Sequence, residues 1–205
     1  MDVITLSSTK GMLELIEKRF DYKIMFPNME KNRAKEFDKN MKKYVFITAR
    51  VHPGETPGSH SFNGMIKFLL SCDRRATILM DNFVFVMIPM LNPDGVYRGH
   101  YRVDTLGNNL NRYYNAINYT SCPTIYAAKQ LFINLNNQGK LFFYCDMHAH
   151  AARKGIFIFG NCLEFKKQIE CMLFIRLLSL NHEHFDYKQC NFSLSNMSRK
   201  DKGIS

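Results

Sequence analysis

Two short clusters of metal-ligating side chains, His52-Pro53-Gly54-Glu55 and Asp146-Met147-His148-Ala149-His150, stand far apart in this 205-residue chain, and each follows an apolar run. Upstream of the first, Tyr44 to Val51 is rich in β-branched and aromatic residues and reads as a buried strand. Leu141 to Cys145 leads directly into the second, and Gly155 to Gly160 follows as another candidate strand. Open α/β sheets place ligands beyond the carboxyl ends of their strands, so the two clusters can converge there despite their separation.

His52 and Glu55 are three residues apart, and Gly54 eases the backbone turn that lets both reach one ion. Two imidazoles and a carboxylate make a zinc set with a fourth position left for water, which reads as catalytic rather than structural. That chemistry points to metal-assisted hydrolysis. Each half alone says little, because His-x-x-Glu is common and a single His is commoner. His150 competes for the second histidine's place; two residues along a strand or irregular segment need not present the same geometry, and His148 is favoured.

Between the clusters, the strand-like run Phe83 to Pro89 leads into Met90-Leu91-Asn92-Pro93-Asp94-Gly95, whose Asn-Pro-Asp-Gly core reads as a turn. Arg98, Arg102 and Arg112 follow within a few residues. Surface arginines are usually just solvated charges. A guanidinium also suits a two-pronged grip on a carboxylate, and Asn111 beside Arg112 adds an amide donor.

Taken together, His-Pro-Gly-Glu-Thr-Pro from His52, Pro-Met-Leu-Asn-Pro-Asp-Gly-Val from Pro89, Arg-Gly-His-Tyr-Arg from Arg98, Asn-Leu-Asn-Arg from Asn109, Asp-Met-His-Ala-His from Asp146 and Cys-Asn-Phe-Ser from Cys190 resemble, in order, the zinc carboxypeptidases of the carboxypeptidase A superfamily. Within it the chain is most similar to the cytosolic carboxypeptidases, above all the cytosolic carboxypeptidase 5 subgroup, whose members are deglutamylases able to remove branch-point glutamates from tubulin. The resemblance implies one zinc per chain held by His52, Glu55 and His148. It implies that Arg102 polarises the scissile carbonyl and that Asn111 and Arg112 hold the substrate's terminal carboxylate. The implied partners are polyglutamylated protein tails, with tubulin as the expected one.

Two departures from the family pattern matter. Where carboxypeptidase A-like enzymes carry an aspartate supporting a zinc-ligating histidine, this chain has Asn109, whose amide can accept a hydrogen bond from an imidazole N–H without adding charge. The family's general-base glutamate lies downstream of Cys190-Asn191-Phe192-Ser193, and the sequence stops at Ser205; Glu164, Glu170 and Glu183 match no such motif. The expectation is a partial metallocarboxypeptidase catalytic domain over residues 1–205. Its expected fold is a three-layer α/β/α arrangement with a mixed, mostly parallel sheet and the C-terminal part missing. The alternative function is a catalytically incomplete fragment that binds zinc and acidic tails without cleavage.

At 46% hydrophobic the chain can bury a core. Val3 to Ser7 begins as a strand; Ser59 to Ser71, Thr124 to Asn136 and Leu163 to His182 read as helices. Ile125, Ala128, Leu131, Phe132 and Leu135 form a core stripe. No domain boundary is evident. The charged stretch Met29 to Lys43 reads as a solvated loop or amphipathic helix.

The net charge of +10 attracts acidic partners. Nucleic acid is not expected, because no recognition signature accompanies the scattered basic residues. Six cysteines without a Cys-x-x-Cys pair read as free thiols in a reducing compartment, Cys145 and Cys171 buried. No signal peptide or membrane span is read, so a cytoplasmic protein is expected, with the sequons at Asn118, Asn191 and Asn196 unused; association with microtubules is what the resemblance implies.

Overall fold

A computed structural model of the chain describes residues 1–17, 33–115 and 117–195. Its elements run β1 (Ile4–Leu6), β2 (Met12–Ile16), β3 (Lys35–Phe37), β4 (Lys43–Ala49), α1 (Thr56–Leu69), α2 (Arg74–Asn82), β5 (Phe83–Ile88), α3 (Pro93–Tyr97), α4 (Pro123–Asn137), β6 (Leu141–Met147) and α5 (Phe165–Asn181). Two compact units emerge, Met1–Ala149 and His150–Ser205.

In the first unit the main sheet has the order β1-β5-β4-β6. β4 pairs parallel with both β5 and β6, and β1 pairs antiparallel with β5 at the edge. β4 and β5 are buried along almost their whole length, as continuous apolar runs are when helices cover both sheet faces. Side-chain alternation assigns the faces. Val45, Ile47 and Ala49 pack with Phe85 and Met87 against Phe62 and Leu69 of α1. On the other face the rings of Phe46 and Tyr144 lie 5.6 Å apart, with Phe132 of α4 at 6.4 and 5.4 Å from them. The expected three layers and mixed, mostly parallel sheet are present. In α4, Ile125, Ala128 and Leu135 are buried, and Leu131 and Phe132 half-buried.

Several local expectations are corrected. Asn92-Pro93-Asp94-Gly95 opens helix α3 instead of making a free turn: Asn92 Oδ1 accepts from the Gly95 N–H at 3.0 Å, and proline suits the first helical turn. Gly155 to Gly160 forms only isolated bridges, Ile156 to Phe185 and Phe159 to Asn191, because neither contact is extended into a ladder. In the charged stretch, residues 29–32, Lys31 included, lie outside the described residues. The remainder is neither loop nor helix throughout, since Lys35–Phe37 pairs with β2 and Phe37 is buried.

Lys42, expected in solvent, is only 1% exposed. Its ammonium donates to Ser7 Oγ at 2.7 Å and to the carbonyls of Ser8 and Met80 at 2.9 and 2.8 Å, which offsets the loss of hydration. Cys145 and Cys171 are half-buried, and the fully buried thiol is Cys122. Asn196 and the tail after it fall outside the described residues. Among the described residues no helix is long and apolar enough to cross a membrane.

Candidate metal centre

Because β4 and β6 are parallel neighbours with Thr48 opposite Asp146 and Ala49 opposite Met147, the chain leaves both strands side by side. After β4, Arg50 turns the backbone through a left-handed conformation, φ 60°, which is uncommon outside glycine. Its side chain braces that turn, Nε donating to the Pro53 carbonyl at 2.8 Å and a terminal nitrogen to Ser59 Oγ at 2.7 Å. Gly54 then donates to the Tyr101 carbonyl at 2.7 Å. A Cβ there would lie 2.8 Å from that carbonyl oxygen and 2.7 Å from the Tyr101 ring, so only glycine allows the approach.

This folding unites His52, Glu55 and His148, whose ligand atoms all lie within 4.8 Å of one another. Glu55 Oε1 is 2.8 Å from His52 Nδ1, and Oε2 is 3.1 Å from His148 Nδ1 while accepting the Ala149 N–H at 2.8 Å. The remaining ring nitrogens are held from behind. His52 Nε2 lies 3.1 Å from Asn109 Oδ1, and His148 Nε2 lies 2.7 Å from Asp146 Oδ2. An amide oxygen and a carboxylate only accept, so both Nε2 atoms donate. In the neutral rings each Nδ1 lone pair then points at the Glu55 carboxylate, an arrangement that needs a proton or a cation between the groups.

The electrostatics agree with that demand. Burial opposes ionisation of Glu55, yet hydrogen bonds from His148, His52 and the Ala149 backbone hold its carboxyl well below the usual carboxylate range. For His148, burial opposes the charged form, but the Asp146 carboxylate and hydrogen bonds to Asp146 and Glu55 push the imidazole up to about 10. Two imidazoles and one carboxylate are also the borderline donor set that suits zinc. The residues present fit a single divalent cation.

Arg102 reaches the cluster, a terminal nitrogen 3.5 Å from Glu55 Oε1, with its side chain 42% exposed. Asn111 and Arg112 occupy the 3-10 turn Leu110–Arg112 directly after Asn109, Arg112 donating to the Asn111 carbonyl at 3.0 Å. Asn111 is buried, its side-chain oxygen without a hydrogen-bond partner among the described residues. The loop before this turn is built on Asp104, which accepts from the backbone N–H groups of Leu106 and Asn108 at 2.9 and 2.7 Å. His150 is exposed with its ring against Phe157, 5.8 Å between centroids.

Sequence reasoning did not assign roles to Asp146, Ala149 or Arg50. Asp146 had a usable signal, a carboxylate only two residues before a candidate imidazole ligand, close enough in the chain to reach its ring nitrogen. The backbone donor Ala149 and the left-handed Arg50 carry no such signal.

An α/β sheet with a histidine–glutamate–histidine cradle beyond the carboxyl ends of its parallel strands is an arrangement that can hold a divalent cation. The zinc carboxypeptidase family matches residues 1–151, and this chain belongs to that family. It is 33% identical to cytosolic carboxypeptidase-like protein 5 of Danio rerio over 98% of this chain and 33% of that protein. It is 43% identical to cytosolic carboxypeptidase 6 of Mus musculus over 74% of this chain and 29% of that protein. A crystal structure of a metallo-carboxypeptidase from Burkholderia cenocepacia has a TM-score of 0.66 at 26% identity, covering 76% of this chain and 42% of that one. The chain spans about a third of the length of the two cytosolic relatives.

Proposed function

We propose that this chain carries the metal site and substrate-holding arginines of a cytosolic zinc carboxypeptidase that removes C-terminal or branch-point glutamates from polyglutamylated proteins, tubulin among them. The observation that carries the reading is the convergence of His52, Glu55 and His148 within 4.8 Å, with the Arg102 guanidinium alongside. Bound zinc supplies a Lewis acid and a water made acidic enough to attack near neutral pH. His52, Glu55 and His148 are the residues that would hold the ion. Arg102 offers a fixed positive charge to a carbonyl oxygen as it becomes an oxyanion, a role whose loss typically costs about 2.7 to 4 kcal/mol of barrier. Asn111 and Arg112 orient the substrate by its terminal carboxylate. The chain's excess of ten positive charges favours acidic substrates. The relatives' names support the cytosolic assignment.

Metal analysis of the purified chain tests the core of this reading. About one zinc per chain is expected, lost when His52 or His148 is replaced by alanine, because three protein ligands are the usual open set. Stoichiometric zinc surviving both substitutions would refute the ligand assignment. The substrate class is tested with linear and branched polyglutamate peptides, reading both binding and glutamate release. Glutamine-ending controls that bind as well as glutamate-ending peptides would remove glutamate from the proposal.

A further inference from the structure

We propose that Thr48 and Tyr144 are positioning residues of the metal centre: a buried pair of hydroxyls that fixes Asp146 and, through it, the orientation and tautomer of the His148 imidazole. The inference rests on reading the cluster as a metal site.

The strand register places the groups. Phe46 is opposite Tyr144 and Thr48 opposite Asp146, so side chains two apart on β4 and on β6 share one face. Thr48 Oγ1 donates to Asp146 Oδ1 at 2.7 Å, and Tyr144 Oη lies 3.1 Å from Thr48 Oγ1. A threonine hydroxyl has one proton. Since that proton goes to a carboxylate, Oγ1 must accept from Tyr144, and the direction of donation is fixed: Tyr144 to Thr48 to Asp146. Asp146 Oδ2 is then left for the His148 Nε2 proton at 2.7 Å, which keeps the Nδ1 lone pair facing Glu55.

Burial and the Asp146 charge push the Tyr144 hydroxyl well above its ordinary pKa, so it remains a donor throughout the physiological range. Thr48 is fully buried, and the Tyr144 ring is packed by Phe46 and Phe132. Asp146 cannot rotate without losing one of two short hydrogen bonds. His52 has no comparable backing, because its support is the neutral amide of Asn109. The relay therefore belongs to one ligand of the three.

The test uses the full 205-residue chain with Thr48→Val, Thr48→Ser and Tyr144→Phe. Zinc affinity is measured by competition with a chromophoric chelator, ligand geometry by the visible absorption of the cobalt(II)-loaded chain, and folding by circular dichroism. Thr48→Val is expected to weaken zinc binding about 10-fold, at the low end of what partners behind a metal ligand contribute, and to alter the cobalt spectrum. Thr48→Ser, which keeps the hydroxyl, retains the parent affinity and spectrum; Tyr144→Phe falls between. Parent-like affinity and spectrum in Thr48→Val overturn the proposal, as does a Thr48→Ser variant no better than Thr48→Val. Should Thr48→Val not fold, Tyr144→Phe decides, and an unchanged affinity and spectrum there overturn the relay. A parent chain that binds neither metal overturns the metal reading itself, and is distinguished by showing no site to compare.

Discussion

The two imidazoles of the centre are backed unequally, His148 by a carboxylate at 2.7 Å and His52 by the amide oxygen of Asn109 at 3.1 Å. An amide oxygen accepts a hydrogen bond from the ring N–H and fixes the tautomer, but adds no negative charge to raise the basicity of the ligating nitrogen. Asn109→Asp is expected to tighten zinc binding several-fold. Asn109→Ala is expected to weaken it by about 10- to 100-fold, the usual cost of removing such a partner. A chelator competition titration measures both, and an alanine variant with unaltered affinity would show that the amide does not hold the ring. The amide's capacity to support an imidazole was readable from its residue type. His148 was already favoured over His150 in the sequence, and its ring lies against Glu55 in the structure.

At the scale of elements, the continuous apolar runs of β4 and β5 announced themselves because both faces of the sheet are covered there, whereas β6, last in the strand order, carries a similar apolar run while only half-buried, with Phe142 exposed. β2, all five of its residues exposed, gives no burial pattern to read, and α2 is short, its apolar Ile78, Leu79 and Met80 running consecutively between Arg74, Arg75 and Asp81 instead of at helical spacing. Helix α3 was hidden because Asn-Pro-Asp-Gly serves equally as a turn; the capping bond to Gly95 decides it. Asn92→Ala removes that cap and also the donor, at 3.3 Å, to the buried Val51 carbonyl just before His52. The expected loss is about 1 to 2 kcal/mol, read from denaturant midpoints, with weaker zinc binding alongside. Asp73 caps α2 in the same way; its hydrogen bonds from the Arg75 side chain and backbone lower its carboxyl pKa from 3.8 to about 2. A depressed folded pKa means this contribution is present above the unfolded value and lost as pH falls through the folded one. Asp73→Asn should flatten the acid limb of the stability profile between those two values, and an acid limb identical to the parent's would show that the cap carries no such linkage.

For the molecule as a whole, the centre is a long-range clasp, since His148 meets Glu55 across 93 residues of sequence and Asn109 brings in a third segment. An unfolded chain offers no such preformed cradle, so a cation that binds the native state stabilises it by mass action, about 2.7 kcal/mol at a hundred times the dissociation constant. For a chain of this size that corresponds to a rise of roughly 5 to 10 °C in thermal midpoint. Hydrogen exchange should locate the gain in the first unit, at the ends of β4 and β6 and in the 102–112 loop, because those are the segments the ligands join. His148→Ala should abolish the thermal shift while leaving the core packed by Phe62, Ile47 and Met87 intact, since none of those side chains belongs to the His52, Glu55 and His148 group. A zinc-induced shift that persists in His148→Ala would place the stabilising ion elsewhere and separate the clasp from the fold it is argued to close.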